Sequence, residues 1–185
     1  MSPRQACCLA EALADGLAVL RQGGHALFAV ERAICVLEDS GLFNAGRGSK
    51  RQLDGVQRMD ASLMEGAGLR AGAVASLEGF VHPITAARLV MEETEHVLLA
   101  GPMAATFARQ FDLERHKPPA ARRPSYTRIF SRRKTGLHLH GTVGAVALDR
   151  SGTVAAGAST GGIDGMLPGR IGGTPLLAPA VLGAK

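Results

Sequence analysis

Tryptophan is absent from this chain of 185 residues, tyrosine occurs once, and aromatic residues make up only 4% of it. Single-stranded nucleic acid is commonly held on aromatic platforms, and the basic stretch that would bind it here offers only Tyr126 and Phe130. Cysteine is also scarce. Cys7, Cys8 and Cys35 are odd in number and two are adjacent, which suits neither a disulfide framework nor a Cys-x-x-Cys metal site. They are expected to be buried thiols in a reducing compartment. No apolar run approaches the roughly 18 to 20 residues of a membrane helix, and the start, MSPRQACCLAEALADG, lacks the basic and then continuously apolar pattern of a signal peptide. These absences predict a cytoplasmic chain with no membrane partner.

The net charge of +5 is concentrated in one place. Arg115, Lys117, Arg122, Arg123, Arg128, Arg132, Arg133 and Lys134 stand together with no acidic residue among them, and the remainder of the chain is mildly acidic at −3. Pro118, Pro119 and Pro124 interrupt the same stretch. It therefore reads as a solvated linker and not as a nucleic-acid surface.

Around this linker the pattern is that of an α+β domain. Ser2-Pro3 predicts a helix start leading to a helix through Gln22, because Ser caps free N–H groups and Pro fits the first turn. Gly23-Gly24 ends it. Leu27, Val30, Ile34 and Leu37 recur at helical spacing over 25–38. The glycines and Asp54-Gly55 after Leu42 predict a loop. Strands are expected at 56–64, with Met59, Ala61 and Leu63 on one face, at 69–77 and at 96–99, and helices at 83–93 and 101–111. TVGAVALD and TVAAGAST, joined by Ser151-Gly152, predict a hairpin.

The linker stops at Gly-Thr-Val-Gly-Ala-Val-Ala-Leu-Asp, followed by Ser-Thr-Gly-Gly and Leu-Pro-Gly-Arg. Upstream stand LEDSGLFNAGRGS, MDASLMEG, AGAVASLEGFVHPITAARLVMEET and HVLLAG. In this order and at this spacing, the motifs resemble the N-terminal-nucleophile (plant-type) L-asparaginase and isoaspartyl peptidase family, over nearly the whole chain. The resemblance implies an αββα sandwich, here incomplete. It divides a single domain, 1–185, into an α-subunit-like part at 1–113, a linker at 114–141 ending at an autocleavage point, and the start of a β-subunit-like part at 142–185.

A threonine hydroxyl is a weak nucleophile unless a base takes its proton, and a free α-amino group of pKa about 7.7 to 8.0 can be that base. The resemblance thus implies cleavage between Gly141 and Thr142 and catalysis by Thr142. It places Thr160 and Asn44 beside the nucleophile and gives Arg170 the substrate α-carboxylate, which a guanidinium grips with two parallel hydrogen bonds. Taken singly, Thr160 would be a turn cap and Arg170 a solvated charge. A structural sodium ion on the backbone of Leu37, Glu38, Ser40, Phe43, Ala45 and Arg47 is also implied. No other cofactor is, and the partners implied are a small-molecule or dipeptide substrate and a second αβ unit in a homodimer.

Departures from the family pattern temper the expected activity. Gly173 stands where the family has the aspartate that holds the substrate ammonium, which predicts weaker binding of asparagine and isoaspartyl peptides or altered substrate choice. Nothing matches the family's first strand and His-Gly-Gly-Ala-Gly loop, nor the segments after Pro175 that include the Thr-Gly oxyanion pair. A hydrolase of β-aspartyl amides is the leading expectation, and a catalytically inactive paralogue serving only as partner subunit or remnant is the alternative. Either way, open sheet edges and an uncovered apolar face are expected to favour association.

Overall fold

A computed structural model of the chain describes residues 1–117 and 141–176. Most of the basic linker, 118–140, and the end of the chain lie outside the described residues. Helices α1 (Pro3–Arg21) and α2 (Ala26–Asp39) form a hairpin, followed by strands β1 (Met59–Glu65) and β2 (Ala71–Leu77). Helix α3 (Pro83–Glu93), strand β3 (Leu98–Ala100), helix α4 (Gly101–Arg109) and the hairpin β4 (Val143–Leu148) and β5 (Val154–Thr160) complete the order. One mixed sheet runs β3-β2-β1-β5-β4, parallel only between β2 and β3. A central sheet carrying helices is one half of an αββα sandwich.

Local chemistry explains most boundaries. Ser2 and Gln5 cap α1 reciprocally: Ser2 Oγ accepts from the Gln5 amide at 3.2 Å, and Gln5 Oε1 accepts from the Ser2 amide at 2.8 Å. The strand expected from Val56 begins three residues later, because Val56 closes a turn in which its carbonyl accepts from the Gln52 amide. β3 starts at Leu98 because the Thr94 hydroxyl accepts from the His96 amide and holds it in a turn. Beyond the end of β2, Glu114 and His116 pair with the segment around Gly79 to Val81.

α2 and α3 cover one face of the sheet. Val30 and Ile34 lie over Gly157 of β5, and Ala87 and Met91 lie over Gly72 of β2. The predicted stripe of Leu27, Val30, Ile34 and Leu37 is wholly buried there, each side chain contributing about 1.5–3 kcal/mol. Met59, Ala61 and Leu63 are all buried, but so are Asp60 and Ser62, and a register shift between Met59 and Ala61 interrupts the expected alternation. The cysteines depart from expectation: Cys8 is buried, Cys35 partly so, and Cys7 is exposed. Successive residues of a helix point about 100° apart, so Cys7 and Cys8 cannot share the buried face of α1.

The edge of the sheet at β4 is open in part. Val146 and Leu148 of edge strand β4 are 74% and 61% exposed, and Leu13 of α1 is 64% exposed. Together with Leu9 and Leu17 they line an apolar groove between α1 and β4. No helix among the described residues is long and apolar enough to cross a membrane.

One carboxylate ties the β4–β5 hairpin to α2. Asp149 Oδ2 accepts from the Ala26 amide at 3.0 Å, while Oδ1 accepts from the Ser151 amide, the Ser151 hydroxyl and the Thr153 amide. These donors, the Ser151 side chain foremost, hold its pKa down from 3.8 to about 2. A carboxylate depressed in the folded state stabilises the fold above pH 3.8, and that contribution is lost as pH falls through about 2. Asp149→Asn is therefore expected to lower the urea midpoint at neutral pH and to flatten its decline on acidification across that window, measured by fluorescence-free circular dichroism titrations.

Candidate active site

The site lies on the sheet face away from α2 and α3, at the ends of β1, β4 and β5. Side chains alternate along a strand. Ser159 therefore points with Gly157 toward α2, and Thr160 points the other way beside Asp60, its register partner on β1. Thr142 immediately precedes β4 and is exposed.

Its hydroxyl donates to Thr160 Oγ1 at 3.3 Å. Thr160 Oγ1 in turn donates to the Gly141 carbonyl at 3.0 Å and accepts from the Gly162 amide, also at 3.0 Å. The Gly141 carbonyl receives a second hydrogen bond, from Asn44 Nδ2 at 3.1 Å. A directed relay thus runs from the Thr142 hydroxyl through Thr160 to the carbonyl of the preceding peptide bond.

Asn44 is fixed on every side. Its Nδ2 also donates to the Gly162 carbonyl at 2.6 Å, its Oδ1 accepts from the Lys50 amide at 2.9 Å, and its carbonyl accepts from the Gly161 amide at 2.8 Å. This arrangement requires Gly161. A Cβ there would stand 2.5 Å from Asn44 Oδ1 and 2.6 Å from Ser49 Cβ.

Arg170 is exposed, with Nη1 at 3.6 Å from Met166 Sδ. The guanidinium lies between Gly162 and Gly172: a Cβ on either glycine would meet Nη1 at 3.7 and 3.2 Å respectively. Asn44, Gly141, Thr142, Thr160 and Arg170 are therefore brought together around Gly162. Gly173 is exposed, with open space where a side chain would stand.

Asp60 belongs to this group although the sequence reading did not single it out. It is 3% exposed, its Oδ1 accepts from the Ser76 amide at 2.8 Å, and its Oδ2 accepts from the Gly172 amide at 3.3 Å. Burial raises its pKa, against the lowering effect of those two amides and of the Arg170 charge. It anchors the loop that carries Arg170. An aspartate inside an otherwise apolar strand, in MDASLMEG, was the available signal.

The loop from Leu37 to Arg47 is packed closely against itself. Gly46 and Gly48 have no room for side chains, because a Cβ would strike the Glu38 carbonyl at Gly46 and the Phe43 and Gly41 carbonyls at Gly48. The Leu37 carbonyl accepts from the Ser40 hydroxyl, and that of Ala45 accepts from the Gly48 amide. Two of the six carbonyls named for a sodium ion, those of Leu37 and Ala45, thus already accept hydrogen bonds within the loop.

The asparaginase family model matches residues 3–180. The chain is 40% identical over 183 residues to the isoaspartyl peptidase of Salmonella typhimurium, covering 91% of this chain and 58% of that protein. It is 42% identical over 180 residues to the plant-type L-asparaginase of Pyrobaculum calidifontis, covering 91% and 59%. With the human isoaspartyl peptidase/L-asparaginase it shares 39% over 181 residues, covering 88% and 55%. The chain thus spans less than two thirds of the length of these relatives.

Gly161→Ala is expected to cost about 1–3 kcal/mol by overpacking, whereas Gly173→Ala, in open space, should stay within about 0.5 kcal/mol. Urea unfolding of the two variants beside the parent measures both.

Proposed function

The chain belongs to the asparaginase family, and on that premise we propose that it is the precursor of a threonine-nucleophile hydrolase acting on β-aspartyl amides. The observation that carries the reading is the pair of hydrogen bonds on the Gly141 carbonyl, from Asn44 and Thr160. Those donors are aimed at the oxygen that becomes negative when Thr142 Oγ attacks the Gly141 carbonyl carbon. A single oxyanion donor is worth about 100- to 1000-fold in rate.

In the self-cleavage step, the Thr142 hydroxyl proton passes by way of Thr160 and the Gly141 oxygen to the Thr142 nitrogen as the Gly141–Thr142 C–N bond breaks, so that the nitrogen leaves as an amine. Gly141 is left as an ester on Thr142 Oγ. Water hydrolyses that ester, giving a Gly141 carboxylate and a Thr142 that has both a free hydroxyl and a free amine. The amine then serves as base for the second reaction. Thr142 Oγ attacks the side-chain amide carbonyl of the substrate, ammonia or an amino acid departs, and water releases aspartate from the acyl-enzyme.

Arg170 suits the substrate α-carboxylate, and Asp60 holds its loop in place. A sodium ion on the carbonyls of Leu37, Glu38, Ser40, Phe43, Ala45 and Arg47 would stiffen the loop that presents Asn44. Gly173 offers nothing to the substrate ammonium. A second reading, a non-catalytic partner subunit, draws on Gly173 and on the exposed Leu13, Val146 and Leu148.

The purified chain is expected to release ammonia from L-asparagine or an amino acid from β-aspartyl dipeptides, and Thr142→Ala to abolish this. A folded, cleaved sample without turnover would decide for the non-catalytic reading. Gly173→Asp is expected to lower KM for these substrates by about tenfold, equivalent to roughly 1.4 kcal/mol, with little change in kcat.

A further inference from the structure

On the helix side of the sheet, beneath the loop that carries Asn44, three side chains of different chemistry face one another. Cys35 and Glu38 belong to α2, and His82 immediately precedes α3. Cys35 Sγ, a Glu38 carboxylate oxygen and a His82 ring nitrogen all lie within 4.8 Å of one another. Glu38 is fully buried, and Cys35 and His82 are partly so. We propose that Cys35, Glu38 and His82 bind a zinc(II) ion at a site separate from the Thr142 centre.

The donor set selects the metal. Thiolate, imidazole and carboxylate are all zinc ligands, whereas magnesium and calcium take oxygen alone. In a tetrahedral zinc site, bonds of about 2.0–2.3 Å place neighbouring donors roughly 3.3–3.8 Å apart. His82 Nδ1 and Glu38 Oε2 already stand at 3.3 Å, so closing the triangle asks only for a small approach of the thiol. Cys35 Sγ now lies 3.6 Å from Thr85 Oγ1, on the first turn of α3.

The surroundings orient the imidazole as a ligand. Metal-bound histidines commonly donate their second ring N–H to a carboxylate. His82 Nε2 stands 3.4 Å from Asp39 Oδ2, and Asp39 is itself held by Arg47 Nε at 3.2 Å. Arg47 also engages Glu114 at 2.5 Å, so the carboxylates on the Nε2 side are already paired with a cation. Nδ1, on the other side of the ring, faces Glu38 Oε2.

A separate observation points into the same pocket. Ser159 Oγ is buried and has no hydrogen-bond partner, yet it stands near enough to Glu38 to favour its ionised form. A buried hydroxyl without a partner is uncommon, and a fourth ligand, either this hydroxyl or a water that it holds, would satisfy it. Burial raises the Glu38 pKa against the opposing effect of His82. A divalent cation would neutralise a thiolate and a carboxylate together.

Metal-free full-length chain, titrated with zinc(II) against a chromophoric chelator, is expected to bind one equivalent. Cys35→Ala and His82→Ala should each weaken that site by 100-fold or more, while Cys7→Ser/Cys8→Ser should leave it intact. Cobalt(II) added to the unmutated chain should give the thiolate-to-cobalt charge-transfer band of a single coordinated sulfur, a readout that does not depend on any variant folding. Zinc at about 100 times its Kd should raise Tm by about 5 to 10 °C. Absence of a stoichiometric site together with absence of the cobalt–thiolate band would overturn the proposal, leaving Glu38 and His82 as an ion pair only. Binding that survives Cys35→Ala, or that is lost only in Cys7→Ser/Cys8→Ser, would overturn it as well.

Discussion

The carbonyl oxygen of Gly141 accepts hydrogen bonds from Asn44 and Thr160, and three separate parts of the chain must be placed correctly for that to happen. Asn44 comes from the loop after α2, Thr160 from the end of β5, and Gly141 from the entrance to β4. α2 packs directly over β4 and β5, so the burial of Leu27, Val30, Ile34 and Leu37 sets the distance between the Asn44 loop and the hairpin. Asp149 fixes the same relation from the far end, joining the hairpin turn to the first turn of α2. The packing energy of the helix layer is what brings Asn44 and Thr160 together on one carbonyl oxygen.

β5 carries the two faces of this design on neighbouring residues. Ser159 turns toward the helices and the Glu38–His82 pair, and Thr160 turns toward Thr142. Glu38 also lies at the base of the loop that ends in Asn44, so the buried polar cluster and the candidate nucleophile share both of their supporting elements. The remaining exposed surface is of a different kind. Leu9, Leu13 and Leu17 of α1 face Val146 and Leu148 of β4 across an apolar groove, and apolar surface of that extent on an edge strand favours association.

Much of this was legible in the sequence because local chemistry wrote it there. Ser2-Pro3 set the start of α1, the four-residue stripe set the buried face of α2, and the β-branched runs around Ser151-Gly152 set the β4–β5 hairpin. Asn44, Thr142, Thr160 and Arg170 were readable only as motifs. Nothing in their spacing says that Gly162 is the point on which they converge, because that depends on contacts between residues nearly a hundred or more positions apart. Asp60, Glu38 and His82 were harder still. Each is a polar residue beside an apolar run, and most of its partners come from other elements brought near only by the fold. Cys7 and Cys8 misled in the opposite direction, since adjacency in sequence is separation around a helix.

The central claim is that the Thr142 hydroxyl is poised to attack the peptide bond that precedes it. Intact mass of the freshly purified chain, compared with Thr142→Ala, tests this most directly. The account predicts that the parent alone separates into two fragments joining at Gly141 and Thr142. Both chains remaining whole, or both splitting at that bond, would contradict it.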